Sequence, residues 1–139
     1  MKVKDVMSKQ VVTADPDATI RDVAKLMSEV DTGIIPIFND EGLGVVTDRD
    51  IVIRAVAEGL DAEEPVSLIM TTGVESCLED DDLSEAAYRM SELQMRRLIV
   101  FDASGKICGV LSLGDIAVRQ EELAGVALEE ISDDTTRRT

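Results

Sequence analysis

The sequence predicts a mixed α/β protein of the α+β type, built from two βαββα halves. A motif of glycine, two apolar residues, a hydroxyl residue and an aspartate three positions later occurs twice, at 44–50 and 109–115. Residues upstream of this motif correspond at a constant spacing of 63, as Met27 and Met90 show. A period this long exceeds that of solenoid repeats, so it indicates duplication of a whole folding unit.

Each half opens with a short helical turn and a brief strand. The turns are predicted over 3–7 and 66–70, and the strands over 11–13 and 75–77. The two cysteines of the chain fall in predicted strands and lack the spacing of a metal site. We expect reduced, buried thiols, and a disulfide between them is the alternative.

An amphipathic helix follows the first strand of each half. In the first half, Thr19 is a suitable N-cap for a helix in which Ile20, Val23 and Met27 recur at helical spacing. In the second half, an acidic segment precedes a helix predicted to begin near Leu83. Acidic side chains stabilise the first turn of a helix, which explains this segment better than a cation site does.

The next segment of each half is a continuous apolar run, at 34–38 and 98–101, which predicts a strand buried on both faces. Turns rich in aspartate and glycine follow and predict β-hairpins. Each hairpin leads into the repeated motif, where Thr47 or Ser112 can cap a second helix.

These elements divide the chain into five segments. The first repeat is predicted to cover 1–60, a linker 61–65 and the second repeat 66–120. Residues 121–131 place apolar side chains on one face and predict a C-terminal helix. The polar end of the chain, 132–139, is expected to be disordered.

Composition excludes several classes of function. A net charge of −15 argues against nucleic acid and anionic membranes as partners. The chain has no histidine and no evident pair of nucleophile and base, so we expect it not to be an enzyme. It also has no apolar run of the roughly 18 residues that a membrane span needs, and no signal-peptide core. We therefore expect a cytoplasmic protein.

Together, these residues resemble a tandem pair of CBS domains, a family named after cystathionine β-synthase. The matching features are the opening turns at Val6-Met7 and Ile69-Met70, the central strands, and the repeated glycine-to-aspartate motif. The resemblance spans roughly 1–120, and the chain is similar to small stand-alone pairs of bacteria and archaea. It implies two repeats packed about a pseudo-twofold axis, with two clefts between them, and a disc-shaped homodimer of two pairs.

The resemblance further implies that the clefts receive an adenosine-containing ligand: AMP, ADP, ATP, S-adenosylmethionine or NAD. Such a ligand would be regulatory, and no cofactor is required. The carboxylates of Asp50 and Asp115 would bind the ribose diol, and Arg96–Arg97 would clamp a phosphate. The complete candidate set is Thr13, Ile34, Ile35, Pro36, Thr47, Arg49, Asp50, Ser76, Arg96, Arg97, Leu98, Ser112 and Asp115.

Each candidate also has a purely structural interpretation. The hydroxyl-x-x-Asp motif is a capping box with aspartate in place of glutamate. Thr13 and Ser76 can simply end strands, the apolar candidates can belong to the core, and the arginine pair can be a solvated strand start.

Two functions remain open at this point. One is a regulatory module that binds an adenosine-containing ligand and signals in trans to an unknown protein partner. The alternative is a ligand-free, acidic, homodimeric interaction scaffold. The resemblance also implies that the basic residues of one repeat serve the aspartate of the other, as in one member of the family. Asp50 would then face Arg96–Arg97, whereas Asp115 would face the uncharged Gly33–Ile34. We therefore expect nucleotides to prefer the Asp50 cleft.

Overall fold

A computed structural model describes residues 1–9 and 12–121, which form a mixed α+β fold of two compact units. We call residues 12–76 the continuous unit, because it is one stretch of chain. We call the other the split unit, because it combines Met1–Lys9 with the chain from Cys77 onward. Of the predicted C-terminal helix at 121–131, all but residue 121 lies outside the described residues, as does the tail at 132–139.

The order of elements follows the duplication. In chain order they are a 3₁₀ turn Val3–Asp5, β1 Ser8–Lys9, α1 Ile20–Val30, β2 Ile34–Asn39, β3 Gly42–Thr47, α2 Asp48–Asp50 continuing as a π-helix Ile51–Val56, a 3₁₀ turn Val66–Leu68, β4 Thr71–Thr72, β5 Ser76–Leu78, α3 Leu83–Leu93, β6 Arg97–Phe101, β7 Ile107–Ser112 and α4 at 113–121.

The sheet of the continuous unit has the order β2-β3-β4. Strands β2 and β3 form the predicted hairpin, with Ile34 opposite Thr47 and Asn39 opposite Gly42. Strand β4 runs antiparallel to β3 on the other side. In this order β3 is the central strand, and β2 buries three consecutive residues, 35–37, as a strand covered on both faces does.

The strand predicted at 11–13 is reduced in the described residues to one parallel bridge between Ala14 and Ile37. A physical reason lies in Pro16. In the split unit the equivalent residue, Glu79, donates its backbone N–H to the carbonyl of Phe101 at 3.0 Å. Proline has no N–H to donate, so the ladder cannot extend past it.

The sheet of the split unit has the order β1-β7-β6-β5. Strands β6 and β7 are antiparallel, with a bulge between Val100 and Phe101 at the turn end of the hairpin. Strand β1 pairs with β7, placing Ser8 opposite Val110. This sheet therefore repeats the other one, with an additional regular strand, β5.

The opening segments of the two repeats are exchanged between the units. The backbone N–H of Val3 donates to Asp81 at 2.9 Å, in the split unit, although Val3 begins the first repeat. The N–H of Val66, which begins the second repeat, donates to Ala18 at 2.8 Å in the continuous unit. The compact units are therefore not the linear repeats, and periodicity alone did not indicate this exchange.

Each unit has its own apolar core. In the continuous unit, α1 packs on β2 and β3 through Ile20, Val23, Met27, Ile35, Ile37 and Val46, with Ala55, Val66 and Ile69. In the split unit the corresponding set is Val3, Cys77, Ala86, Met90, Leu98, Val100, Leu111 and Ile116. Val66 and Val3 occupy corresponding places in these sets. The opening segment of the second repeat therefore helps to complete the core of the continuous unit, and that of the first repeat helps to complete the core of the split unit.

The helix starts confirm the capping predictions. The hydroxyl oxygen of Thr19 accepts the backbone N–H of Asp22 at 3.0 Å. Asp82 accepts the N–H of Glu85 in the same way and begins α3 at Leu83. Among the helices of the described residues, none has the length and apolarity that crossing a membrane demands.

Candidate ligand site

Thr47 and Asp50 form a reciprocal capping box where β3 passes into α2. The N–H of Thr47 donates to Asp50 Oδ2 at 2.9 Å, and the N–H of Asp50 donates to Thr47 Oγ1 at 3.1 Å. The structural interpretation of this motif is therefore confirmed. It leaves Oδ1 of the carboxylate outside the cap, so capping does not exhaust what Asp50 can bind.

The second oxygen of Asp50 lies beside Arg54, one helical turn later. Nε of Arg54 is 3.7 Å from Asp50 Oδ1, and the Asp50 side chain is only 16% exposed. Nη1 of Arg54 is also 3.5 Å from the carbonyl oxygen of Ile69, in the opening turn of the second repeat. Arg54 was absent from the candidate residues, although an arginine closes each copy of the repeated motif.

Arg54 lies in the π-helical part of this element. Here Ala57 donates its N–H to the carbonyl of Val52, five residues earlier, at 2.9 Å. Short π-helical segments often occur at functional sites. The corresponding helix of the split unit, α4, is α-helical over 113–121. Sequence spacing predicted a helix in both places and not this difference between them.

Ser112 and Asp115 form the equivalent cap in the split unit. The N–H of Asp115 donates to Ser112 Oγ at 3.0 Å, and the N–H of Ser112 donates to Asp115 Oδ2 at 3.3 Å. The hydroxyl of Ser8, delivered by the exchanged opening segment, donates to the same Oδ2 at 3.4 Å. A cavity of about 210 Å³ lies beside Asp115 and is also lined by Asp5, Val6, Val118 and Arg119.

Arg96 and Arg97 are both exposed at the start of β6. Arg97 pairs with Ser112, and the carbonyl of Arg96 accepts the N–H of Leu113 at 3.0 Å. The arginine pair thus belongs to the same unit as Asp115. The expectation that it faces Asp50, which belongs to the continuous unit, stays a prediction.

The other candidates differ in what they can offer a ligand. The side chains of Ile35 and Leu98 are fully buried in their cores, and Pro36 is also buried. These positions therefore present a ligand with backbone at most, in agreement with the core interpretation. Ile34, Thr13, Ser76 and Arg49 retain partial or full exposure.

A larger cleft lies at the opposite end of β3 from Thr47. Its volume is about 630 Å³, and no predicted site residue lines it. We call it the hairpin cleft. Its lining residues are Pro16, Asp17, Ile37, Asn39, Glu41, Gly42, Leu43, Ser67, Met70, Thr72 and Gly73.

Both cysteines lie in strands and are free thiols, as expected, but only Cys77 is buried, whereas Cys108 is half-buried. Burial raises the pKa of the Cys77 thiol to about 11, and it also raises the pKa of Cys108. These thiols are therefore protonated and poorly nucleophilic at neutral pH. Among residues 1–9 and 12–121, no group of three or more histidine, cysteine, aspartate or glutamate side chains is placed to hold a metal ion.

Known proteins are similar to this chain in sequence and in fold. CBS domain-containing protein YhcV of Bacillus subtilis is 41% identical over 133 residues, which cover 94% of each chain. CBS domain protein PAE2072 from Pyrobaculum aerophilum, solved in complex with AMP, superposes with a TM-score of 0.70 at 27% identity, covering 91% of this chain and 98% of that one. The CBS domain pair of protein MJ0100, solved with 5′-methylthioadenosine and S-adenosyl-L-methionine, gives a TM-score of 0.69 at 27% identity, covering 88% and 97%.

The profile of the CBS domain matches this chain twice, at residues 3–56 and 66–122. Each match begins in an opening turn and extends past one capping aspartate. The chain therefore belongs to the CBS domain family, as a tandem pair of its domains.

Proposed function

We propose that this CBS pair is a regulatory module that binds an adenosine-containing ligand through Asp50 and Asp115. The observation that carries the proposal is the geometry of the two caps. In each, the carboxylate is anchored through Oδ2 by a backbone N–H, which fixes its orientation. In each, Oδ1 lies outside the cap and can accept a hydrogen bond from a ligand hydroxyl.

The chemistry of these groups favours the ribose over the phosphate as their target. A carboxylate accepts hydrogen bonds from a vicinal diol, whereas it repels a phosphate. The phosphate of a nucleotide is better matched to Arg96–Arg97, because guanidinium groups bind phosphate oxygens in a bidentate manner. The ligands of PAE2072 and MJ0100 support this class, since AMP, 5′-methylthioadenosine and S-adenosyl-L-methionine share an adenosine.

We also propose that the module is a homodimer. Val52, Ile53 and Val56 in the π-helical segment are 56%, 49% and 70% exposed. On the corresponding α4, Leu113 and Val118 are exposed as well. A second copy can cover these apolar side chains. Signalling would then pass in trans to a separate protein, and a ligand-free scaffold remains the competing function.

Calorimetry and thermal shift with AMP, ATP, S-adenosylmethionine and adenosine test the proposal. A ligand that binds only the native state raises the melting temperature, by an amount that grows with the logarithm of its concentration over Kd. Binding should weaken in Asp50→Asn or Asp115→Asn, since asparagine can still cap the helix but lacks the charge. Asp22→Asn, in the first turn of α1, is the matched control. No binding of any of the four compounds would favour the scaffold.

A further inference from the structure

The hairpin cleft lies in the continuous unit, and the corresponding place in the split unit is the useful comparison. The backbone there is equivalent: Ser67 donates its N–H to the carbonyl of Pro16 at 3.2 Å, as Lys4 does to Glu79 at 2.9 Å. The carboxylate is equivalent too, since Asp17 corresponds to Asp80 at the constant spacing.

The two places differ in their cations. In the split unit, Nζ of Lys4 lies 3.0 Å from Asp80 Oδ1, and Nζ of Lys2 lies 3.5 Å from the same atom. The residues corresponding to Lys4 and Lys2 in the continuous unit are Ser67 and Pro65, which carry no charge. Within residues 1–9 and 12–121, Asp17 forms no ion pair.

The hairpin cleft has room for an alkylammonium group such as the end of a lysine side chain. Its volume of about 630 Å³ is bounded by Asp17 and Ser67, and a second carboxylate, Glu41, lies on the hairpin side. Apolar side chains of Ile37 and Met70 also line it. An aliphatic stem can therefore rest on apolar surface while its charged end meets a carboxylate, which is how lysine side chains pack on proteins.

We propose that the hairpin cleft binds a primary alkylammonium group, with the ammonium on Asp17 and the alkyl stem over Ile37 and Met70. The group would be the lysine side chain of a partner protein or a free aliphatic diamine. The split unit shows the interaction within the chain itself, because Lys4 supplies the same ammonium to Asp80. None of the residues that line the hairpin cleft is a candidate for binding the adenosine-containing ligand, so this proposal is independent of that one.

The test is a two-dimensional amide NMR titration of the full chain with n-butylammonium, putrescine and Nα-acetyl-lysine methylamide. Tetramethylammonium at equal ionic strength is the control cation, since it cannot donate hydrogen bonds. We expect saturable shifts at Asp17, Ser67 and Gly73 with the three amines and not with the control. If putrescine binds at least about tenfold more tightly than n-butylammonium, both Asp17 and Glu41 are engaged and a free diamine is the source. Equal affinities point to a lysine side chain.

Two variants make the result specific. Ser67→Lys rebuilds the arrangement of the split unit, so its own ammonium should occupy Asp17 and weaken amine binding at least about tenfold. Asp17→Asn should do the same by removing the charge, whereas Asp80→Asn should leave amine binding unchanged. Shifts that are linear, spread over the acidic surface, or retained in Asp17→Asn would overturn the proposal.

Discussion

Met7 lies directly against Gly109. A Cβ built on this glycine would approach Met7 Sδ to 2.5 Å and the carbonyl oxygen of Ser8 to 2.8 Å. The same relation holds between Met70 and Gly44, where the built Cβ would be 3.1 Å from the sulfur. The glycine of each repeated motif therefore makes room for the opening segment that comes from the other repeat.

Gly109→Ala should destabilise the protein by roughly 1–3 kcal/mol, the usual cost of overpacking a filled site. The methionine can move, but the backbone carbonyl of Ser8 cannot move without disturbing the pairing of β1 with β7. Urea unfolding measures the effect. Gly114→Ala is the control, because its nearest neighbour, Ser112 Oγ, would lie at an ordinary 3.6 Å. Equal stability of the two variants would mean that the close approach carries no cost.

The arginine pair should matter for the phosphate and not for the nucleoside. Arg97→Ala is expected to weaken AMP binding by about tenfold or more, since a charge-assisted hydrogen bond contributes about 1.5–3 kcal/mol. Adenosine binding should be nearly unchanged. Calorimetry of both ligands measures the two effects. Arg21→Ala, at an exposed position of α1, is the control. An equal loss for AMP and adenosine would indicate that Arg97 supports the fold.

The same titrations test which aspartate dominates. If Arg96–Arg97 serve the Asp50 site, Asp50→Asn should abolish the tighter AMP binding and Asp115→Asn should leave it. The opposite result would indicate that the arginine pair serves Asp115, with which it shares a unit.

Ile53→Glu should convert a homodimer into a monomer, because it places a charge in the exposed apolar group with Val52 and Val56. Light scattering at micromolar concentration gives the mass directly. Leu68→Glu is the control, as Leu68 is equally exposed but lies in a 3₁₀ turn outside this group. A monomeric wild type would contradict the proposed assembly.

Stability should fall in acid partly through Asp80. Hydrogen bonding and charge from Lys4, with a further contribution from Lys2, lower the pKa of Asp80 below its ordinary value of 3.8. A carboxylate whose pKa is lowered in the folded state stabilises above its unfolded pKa, and this stabilisation is lost as the pH falls through the folded pKa. Asp80→Asn should therefore be less stable than wild type at neutral pH but not in strong acid. An equal loss of stability in Asp80→Asn at neutral pH and in strong acid would contradict this contribution.

Cys77 should react with thiol reagents only when the fold opens. With a pKa of about 11, roughly one thiol in a thousand is ionised near pH 8, and the side chain is buried. Labelling of Cys108→Ala, in which Cys77 is the remaining cysteine, should be slow in the native state and fast in urea. Rapid native labelling would show that β5 opens readily.

Local signals predicted the elements well. A hydroxyl residue predicted the N-cap of a helix at Thr19, Thr47 and Ser112, and the structure confirms all three caps. Continuous apolar runs predicted β2 and β6, because a strand covered on both faces needs no polar alternation.

Structural features that depend on contacts between distant parts of the sequence could not be predicted in this way. The contact between Ser8 and Asp115 exists only because β1 joins β7, and nothing local to Ser8 specifies that partner. The sequence shows that a glycine opens each copy of the repeated motif. It does not show the reason, which is the close approach of a methionine from the other repeat. The π-helical turn that contains Arg54 also gave no separate signal, since apolar spacing near 100° per residue does not distinguish it from an α-helix.

The exchange of opening segments has a consequence for the ancestry of this chain. A protein with a single repeat would present a β3-like edge and a glycine without the methionine that fills it. Two copies of such an ancestor could complete each other by swapping their first residues, as domain-swapped dimers do. Joining those two copies end to end would give the present connectivity. The connectivity of the tandem pair is therefore that of a swapped dimer joined end to end, in which the opening segment of each repeat packs in the core formed mainly by the other repeat.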